Sequence, residues 1–202
     1  MNPLLPWRVA AWALGVVPLA LAVKWTLESR LGPNPVEFLE HFTGDWTLRL
    51  LLTTLAMTPL RKLTRMSEPI RVRRLLGLWS FAFLCLHFSI YLGFDLGLSV
   101  VQLGADLVRR TYITLGFMAW LMLLPLAITS TSAWQRRLKR RWITLHQLIY
   151  PAAILGAIHY LWLVKADTRE PLIYLGVLLG LLALRIRTAG MLSRADAVQR
   201  AD

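Results

Sequence analysis

One cysteine, Cys85, is present in 202 residues. A single thiol excludes an intramolecular disulfide and any zinc or iron–sulfur centre built from several cysteines. It leaves Cys85 the role of a small apolar residue in a helix. Acids are also scarce, 11 against 23 Lys and Arg, for a net charge of +12. No Walker loop, G-x-G-x-x-G or HExxH occurs, so the chain has no dedicated soluble domain for flavin or nicotinamide. Strands of alternating polarity are missing, which rules out a transmembrane barrel. There is no low-complexity tract and no linker long enough to separate two large domains.

Apolar residues, by contrast, are abundant: 56% of the chain, with mean hydropathy +0.53. That exceeds what one soluble core of this length needs. The basic excess sits in short clusters between long apolar runs and forms no continuous polar face, so it does not point to nucleic acid. A bilayer crossing takes about 20 mostly apolar residues. Six windows qualify: Val9–Leu27, Trp46–Leu63, Leu75–Phe94, Tyr112–Ser130, Leu145–Val164 and Leu172–Ile186. The second holds Arg49 and several threonines, and the sixth is short. The first lacks a small-residue cleavage site and reads as a retained helix. The fold class is therefore an all-α integral membrane bundle of six transmembrane helices over 1–190, with a polar tail at 191–202.

Charge orients the bundle. Arg61, Lys62, Arg65, Arg71, Arg73 and Arg74 fall between windows two and three; Arg136, Arg137, Lys139, Arg140 and Arg141 fall between four and five. The alternate connections hold Glu28, Glu37, Glu40, Asp45, Asp95, Asp106, Asp167 and Glu170. The positive-inside rule places both termini and both basic loops in the cytoplasm. Most tryptophans, among them Trp7, Trp25, Trp46, Trp79, Trp142 and Trp162, fall near predicted helix ends and read as interfacial belts.

Three of four histidines lie inside predicted helices: His87 in the third, His146 and His159 in the fifth. Ionisable groups at membrane depth need a partner or a role. They can simply hydrogen-bond neighbouring helices. A transporter would be expected to put carboxylates in the same path, and here the acids sit near the outer loops. Imidazoles without carboxylates suit axial ligation of heme iron. His87 and His159 fall at similar depth, toward the outer side. His146 lies about 20 Å from His159 at 1.5 Å per residue, near the cytoplasmic side. An ideal helix would turn these two to different faces, unless Pro151 kinks it. Arg73 precedes His87 by fourteen residues on nearly the same face; it suits either a heme propionate or a positive-inside anchor. His41 reads as an outer-loop surface residue.

The runs Thr58–Pro59–Leu60–Arg61, Arg73–Arg74–Leu75–Leu76–Gly77–Leu78, His87–Phe88–Ser89–Ile90–Tyr91, Leu126–Ala127–Ile128–Thr129–Ser130, Arg141–Trp142–Ile143–Thr144–Leu145–His146–Gln147–Leu148–Ile149–Tyr150 and His159–Tyr160–Leu161–Trp162 together carry a resemblance. The chain resembles the heme-binding membrane subunits of bacterial protein-methionine-sulfoxide reductase systems (the MsrQ/YedZ family), within the ferric-reductase-like transmembrane domains. The resemblance covers almost the whole chain, most specifically the second through fifth helices. It implies b-type heme, one or two, on histidines of the third and fifth helices, with His87 and His159 on the outer heme. It implies an inner site on His146, with Arg73 standing where a fourth histidine would be expected. It further implies electrons drawn from the quinone pool or a cytosolic flavin reductase, an association with flavin mononucleotide, and location in the bacterial inner membrane. The implied partner is a periplasmic molybdopterin-dependent catalytic subunit that reduces methionine sulfoxide in oxidised proteins. The chain would then be the electron-transfer, quinol-oxidising subunit, with the sulfoxide-reducing site on that partner. No residues identify a flavin site. The alternatives are a stand-alone ferric reductase and a non-redox transporter or structural subunit.

Overall fold

The computed structural model describes residues 3–164 and 167–199, with side chains through residue 186. The described residues form helices and turns, without strands. In chain order these are α1 (Leu4–Leu27), α2 (Pro35–Thr64), α3 (Glu68–Ile90) with a π-helical turn Tyr91–Asp95, α4 (Val100–Arg109), α5 (Thr111–Ile128), α6 (Ser132–Leu138), α7 (Arg140–His146), α8 (Ile149–Leu163) and α9 (Arg169–Gln199). Among the described residues, three segments are long and apolar enough to cross a membrane: Leu4–Leu27, Glu68–Asp95 and Thr111–Ile128.

The helices differ from the apolar windows in instructive ways. α2 starts at Pro35, eleven residues ahead of its window, because Asn34 caps it by accepting from the Glu37 N–H and Pro35 supplies a preset first turn. The acidic stretch Glu37–Asp45 is therefore helix and not loop. The fifth window is broken in two at Gln147–Leu148. Pro151 is the cause, since its ring would clash with the Gln147 carbonyl of a continuous helix. α4, α6 and α7 are short helices in segments that hydropathy leaves as connections or as part of a span. α9 continues through residue 190 to Gln199.

α2 packs along α3, and α5 along α8; α1 lies on α3, and α9 against α8 and α2. Small and hydroxylated residues let the backbones approach. Between α2 and α3, the Ser80 hydroxyl donates to the Thr47 carbonyl at 2.9 Å, and Gly77 faces Thr54. The threonines of α2 are satisfied internally: Thr43, Thr47, Thr53 and Thr54 donate to the carbonyls four residues back. Between α5 and α8, buried Ala152, Ala153 and Ala157 meet Leu123 and Leu126. Gly15 of α1 lies against the Trp79 indole, where a Cβ would collide. Trp79 and Trp46 pack with Phe83 in an aromatic column.

Arg49, anomalous in an apolar window, is explained by its partners. Its guanidinium lies 3.5 Å from Asp45 and 3.3 Å from Glu170, and its Nε donates to the Tyr174 hydroxyl at 2.6 Å. The group ties α2 to the start of α9.

Candidate functional site

A cavity of about 320 Å³ lies between α2, α3, α5 and α8, at the end of the bundle carrying the acidic residues. Its deeper wall is apolar, with Leu48, Leu51, Phe117, Trp120 and Leu123; its rim carries Glu37, Glu40, Asp45, Asp95 and Arg110. Glu40 stands on the extension of α2 ahead of the apolar window. Burial, then the carboxylates of Asp95 and Glu37, push its carboxyl up to about 7.

His87 from α3 and His159 from α8 both line this cavity. Their ring centres are 6.3 Å apart and their planes are inclined by 78°. The His87 Nδ1 lies 2.9 Å from the Glu40 carbonyl, and the His159 Nδ1 lies 2.7 Å from the Tyr112 carbonyl. A carbonyl oxygen only accepts, so each Nδ1 must carry the proton. Each Nε2 is then left with its lone pair free, the tautomer and orientation that a metal-ligating imidazole adopts.

The two supports are built alike. The carbonyl of Glu40 precedes Gly44 by one helical turn in α2, and that of Tyr112 precedes Gly116 by one turn in α5. Cβ atoms tilt toward a helix N-terminus, so a side chain at Gly116 would crowd the imidazole on that carbonyl, and one at Gly44 would touch its imidazole at ordinary contact distance. A Cβ at Gly116 would stand 2.9 Å from the His159 Nδ1, and one at Gly44 would stand 3.4 Å from the His87 Nδ1. Composition and spacing had not singled out Gly44, Gly116 or the two carbonyls.

At the opposite end, His146 closes α7. Its ring stacks on Trp142 at 3.8 Å, and its Nδ1 donates to the Trp142 carbonyl at 3.1 Å. Among the described residues the buried Nε2 of His146 makes no hydrogen bond of ordinary geometry, and the Leu126 backbone is within electrostatic reach of the ring. Trp142 itself donates from Nε1 to the Thr129 carbonyl at 2.9 Å, fixing α7 to the end of α5. Arg73 is within electrostatic reach of His146 and donates to the Thr58 hydroxyl at 3.4 Å. Tyr150 lies beside Arg73, with the Arg185 guanidinium 4.7 Å from its ring centre. The four sequence candidates thus form two groups: His87 with His159, and His146 with Arg73. His41 is exposed at the cavity rim, on α2 rather than in a loop.

Residues 43–157 match the family model described as ferric reductase like transmembrane component. The chain is 54% identical over 186 residues to a protein-methionine-sulfoxide reductase heme-binding subunit MsrQ of Xanthomonas campestris pv. campestris (strain B100), covering 89% of this chain and 85% of that protein. The chain belongs to this family. It is 53% identical over 156 residues to the MsrQ protein of Xanthomonas axonopodis pv. citri (strain 306), covering 77% of this chain and 72% of that one. It is 46% identical over 180 residues to that of Rhodospirillum rubrum, covering 89% and 86%.

The group named for these family members is heme, and the paired imidazoles fit it. Two metal–imidazole bonds of about 2.0–2.1 Å, with about 1 Å from each nitrogen to its ring centre, separate two axial rings by roughly 6 Å. The 6.3 Å between His87 and His159 agrees with that. Among the described residues no cluster of three or more His, Cys, Asp or Glu is arranged to hold a bare metal ion. A heme needs only two protein ligands, because the macrocycle supplies the others.

Proposed function

We propose that the chain is the membrane-embedded electron relay of a bacterial protein-methionine-sulfoxide reductase system. The observation that carries this reading is the pair of imidazoles across the cavity, each with Nδ1 committed to a carbonyl and Nε2 free. Membership of a family whose relatives are named heme-binding subunits of that system supports it.

His87 and His159 would hold a b-type heme in the outer cavity, which supplies a one-electron carrier when bound. The carbonyls of Glu40 and Tyr112 would fix the tautomer and ring orientation of both imidazoles, leaving each Nε2 to hold the iron. Leu48, Leu51, Phe117 and Leu123 exclude water and keep the path dry. His146 would serve an inner heme, and the Arg73 guanidinium would pair with a propionate there. Flavin mononucleotide would be a further, associated cofactor, with no residues assigned to it.

In this account the chain crosses the bacterial inner membrane six times, residues 1–190 forming the membrane unit and 191–202 a cytoplasmic tail. Electrons enter from the quinone pool, or from a cytosolic flavin reductase. They leave to a periplasmic molybdopterin-containing subunit that reduces methionine sulfoxide. The acidic rim of Glu37, Glu40, Asp45 and Asp95 would face that partner.

The test is rapid mixing of the reduced, heme-loaded protein with the purified catalytic subunit and a methionine-sulfoxide protein. Reoxidation that requires both additions is expected. The Glu37→Gln/Glu40→Gln protein should deliver electrons more slowly and with a flatter salt dependence. Reoxidation by ferric chelates alone, with no response to the catalytic subunit, would replace the proposal with a stand-alone ferric reductase.

A further inference from the structure

α4 is ten residues long, about 15 Å, half the roughly 30 Å of a bilayer core. Crossing the membrane therefore cannot account for its apolar residues. On a helical wheel of 100° per residue it has three sides. Leu103 and Leu107 turn inward and are partly covered. Gln102 and Arg109 share an exposed polar side. Between these lies an uncovered apolar side of Val100, Val101 and Val108, on which Val101 and Val108 are 84% and 87% exposed. Phe94 and Leu98, in the turn before it, are exposed as well.

What covers this side follows from where α4 is attached. The segment Glu68–Asp95, apolar enough to cross a membrane, ends five residues before it, and Thr111–Ile128, equally apolar, starts two residues after it. Two crossing segments attached so closely would keep both ends of α4 near the membrane surface. Its bare valines lie on one side, while Gln102 and Arg109 lie on the other. A short helix with aliphatic residues on one face and charge on another is the form that lies in the plane of a membrane interface.

We propose that α4 is an interfacial helix seated in the outer leaflet, with Val101 and Val108 in the acyl region and Gln102 and Arg109 in water. Its seat bears on the cavity. The Tyr91 hydroxyl donates to Asp106 of α4 at 2.6 Å, and Arg110 pairs with the same carboxylate at 3.4 Å. Tyr91 and Arg110 both line the cavity. The Thr114 hydroxyl of α5 also donates to the Leu107 carbonyl. Lipid thereby fixes the strap that holds one lip of the His87–His159 site.

The test uses the full chain in phospholipid nanodiscs, in a Cys85→Ala background, with one spin label introduced at a time through Val101→Cys, Val108→Cys, Gln102→Cys or Arg109→Cys. Collision with dissolved oxygen reports lipid, and collision with an aqueous nickel chelate reports water. Labels at 101 and 108 should favour oxygen several-fold over the chelate, and labels at 102 and 109 the reverse. Equal access of the chelate to all four positions would overturn the proposal, leaving α4 in water. So would exclusion of both reagents from 101 and 108, which would mean that a second copy of the chain covers the face. A Leu98→Cys label, in the turn outside the helix, repeats the reading without altering α4. This outcome is independent of whether the cavity binds heme.

Discussion

Replacing Gly116 by alanine tests the cavity with the smallest change available. The new methyl would stand 2.9 Å from the His159 Nδ1 and 3.0 Å from its Cε1, where relaxed contacts are about 3.5–4.0 Å. The imidazole must therefore retreat by roughly 0.5–1 Å. Such a shift lengthens the 2.7 Å bond to the Tyr112 carbonyl beyond the ~3.2 Å limit of an ordinary hydrogen bond. Losing that bond, with its buried donor left unsatisfied, costs about 1–3 kcal/mol, and each 1.4 kcal/mol is a factor of about ten in affinity. Heme binding should weaken roughly 10- to 100-fold, the range typical when a ligand loses its supporting partner. Gly44→Ala, whose methyl would meet His87 at an ordinary 3.4 Å, should cost about threefold or less by the same contact argument. Gly176→Ala, with nothing within 4 Å, is the control. The assay is titration of heme into the apoprotein in detergent, read at the Soret band, with the midpoint potential measured alongside. Wild-type affinity and potential in Gly116→Ala would refute the reasoning.

Other expectations follow from the packing. Gly15→Leu should force α1 away from Trp79, an overpacking cost of about 1–3 kcal/mol visible as a lower melting temperature in detergent; Gly180→Ala, with open space around it, should melt like the wild type. Arg49→Gln removes a partly exposed ion pair within α2, and an ion pair and a hydrogen bond between α2 and α9. At about 0–1 kcal/mol for such pairs and about 1 for the bond, melting should fall by several degrees, less so at high salt. An unchanged melting point would mean that the network contributes nothing.

Some of this was legible in the chain. Long apolar runs and clustered arginines identify a helical membrane protein; Pro151 left open whether a kink separates His146 from His159, and the helix breaks at Gln147–Leu148. The carbonyl–glycine supports of the imidazoles were not readable, because Gly44 and Gly116 look like any small residue in an apolar helix until a ring is seen against them. Hydropathy also hid the outer turns of α2, whose acids read as loop although Asn34–Pro35 and Glu37 form a helix start. It hid α4 because one face of valines, diluted by Gln102, Asp106 and Arg109, averages to an unremarkable connection. The burden of Arg49 became intelligible only with Glu170 and Tyr174, more than 120 residues away in sequence, beside it.

The central claim is that His87 and His159 jointly hold heme. Reduced-minus-oxidised spectra of the purified wild type and of His87→Ala, His159→Ala and His146→Ala test it most directly. A b-type spectrum is expected in the wild type, with the same component lost in His87→Ala and in His159→Ala and a different, partial loss in His146→Ala. A wild type that stays colourless after expression with ample heme, or a spectrum indifferent to His87 and His159, would contradict the account.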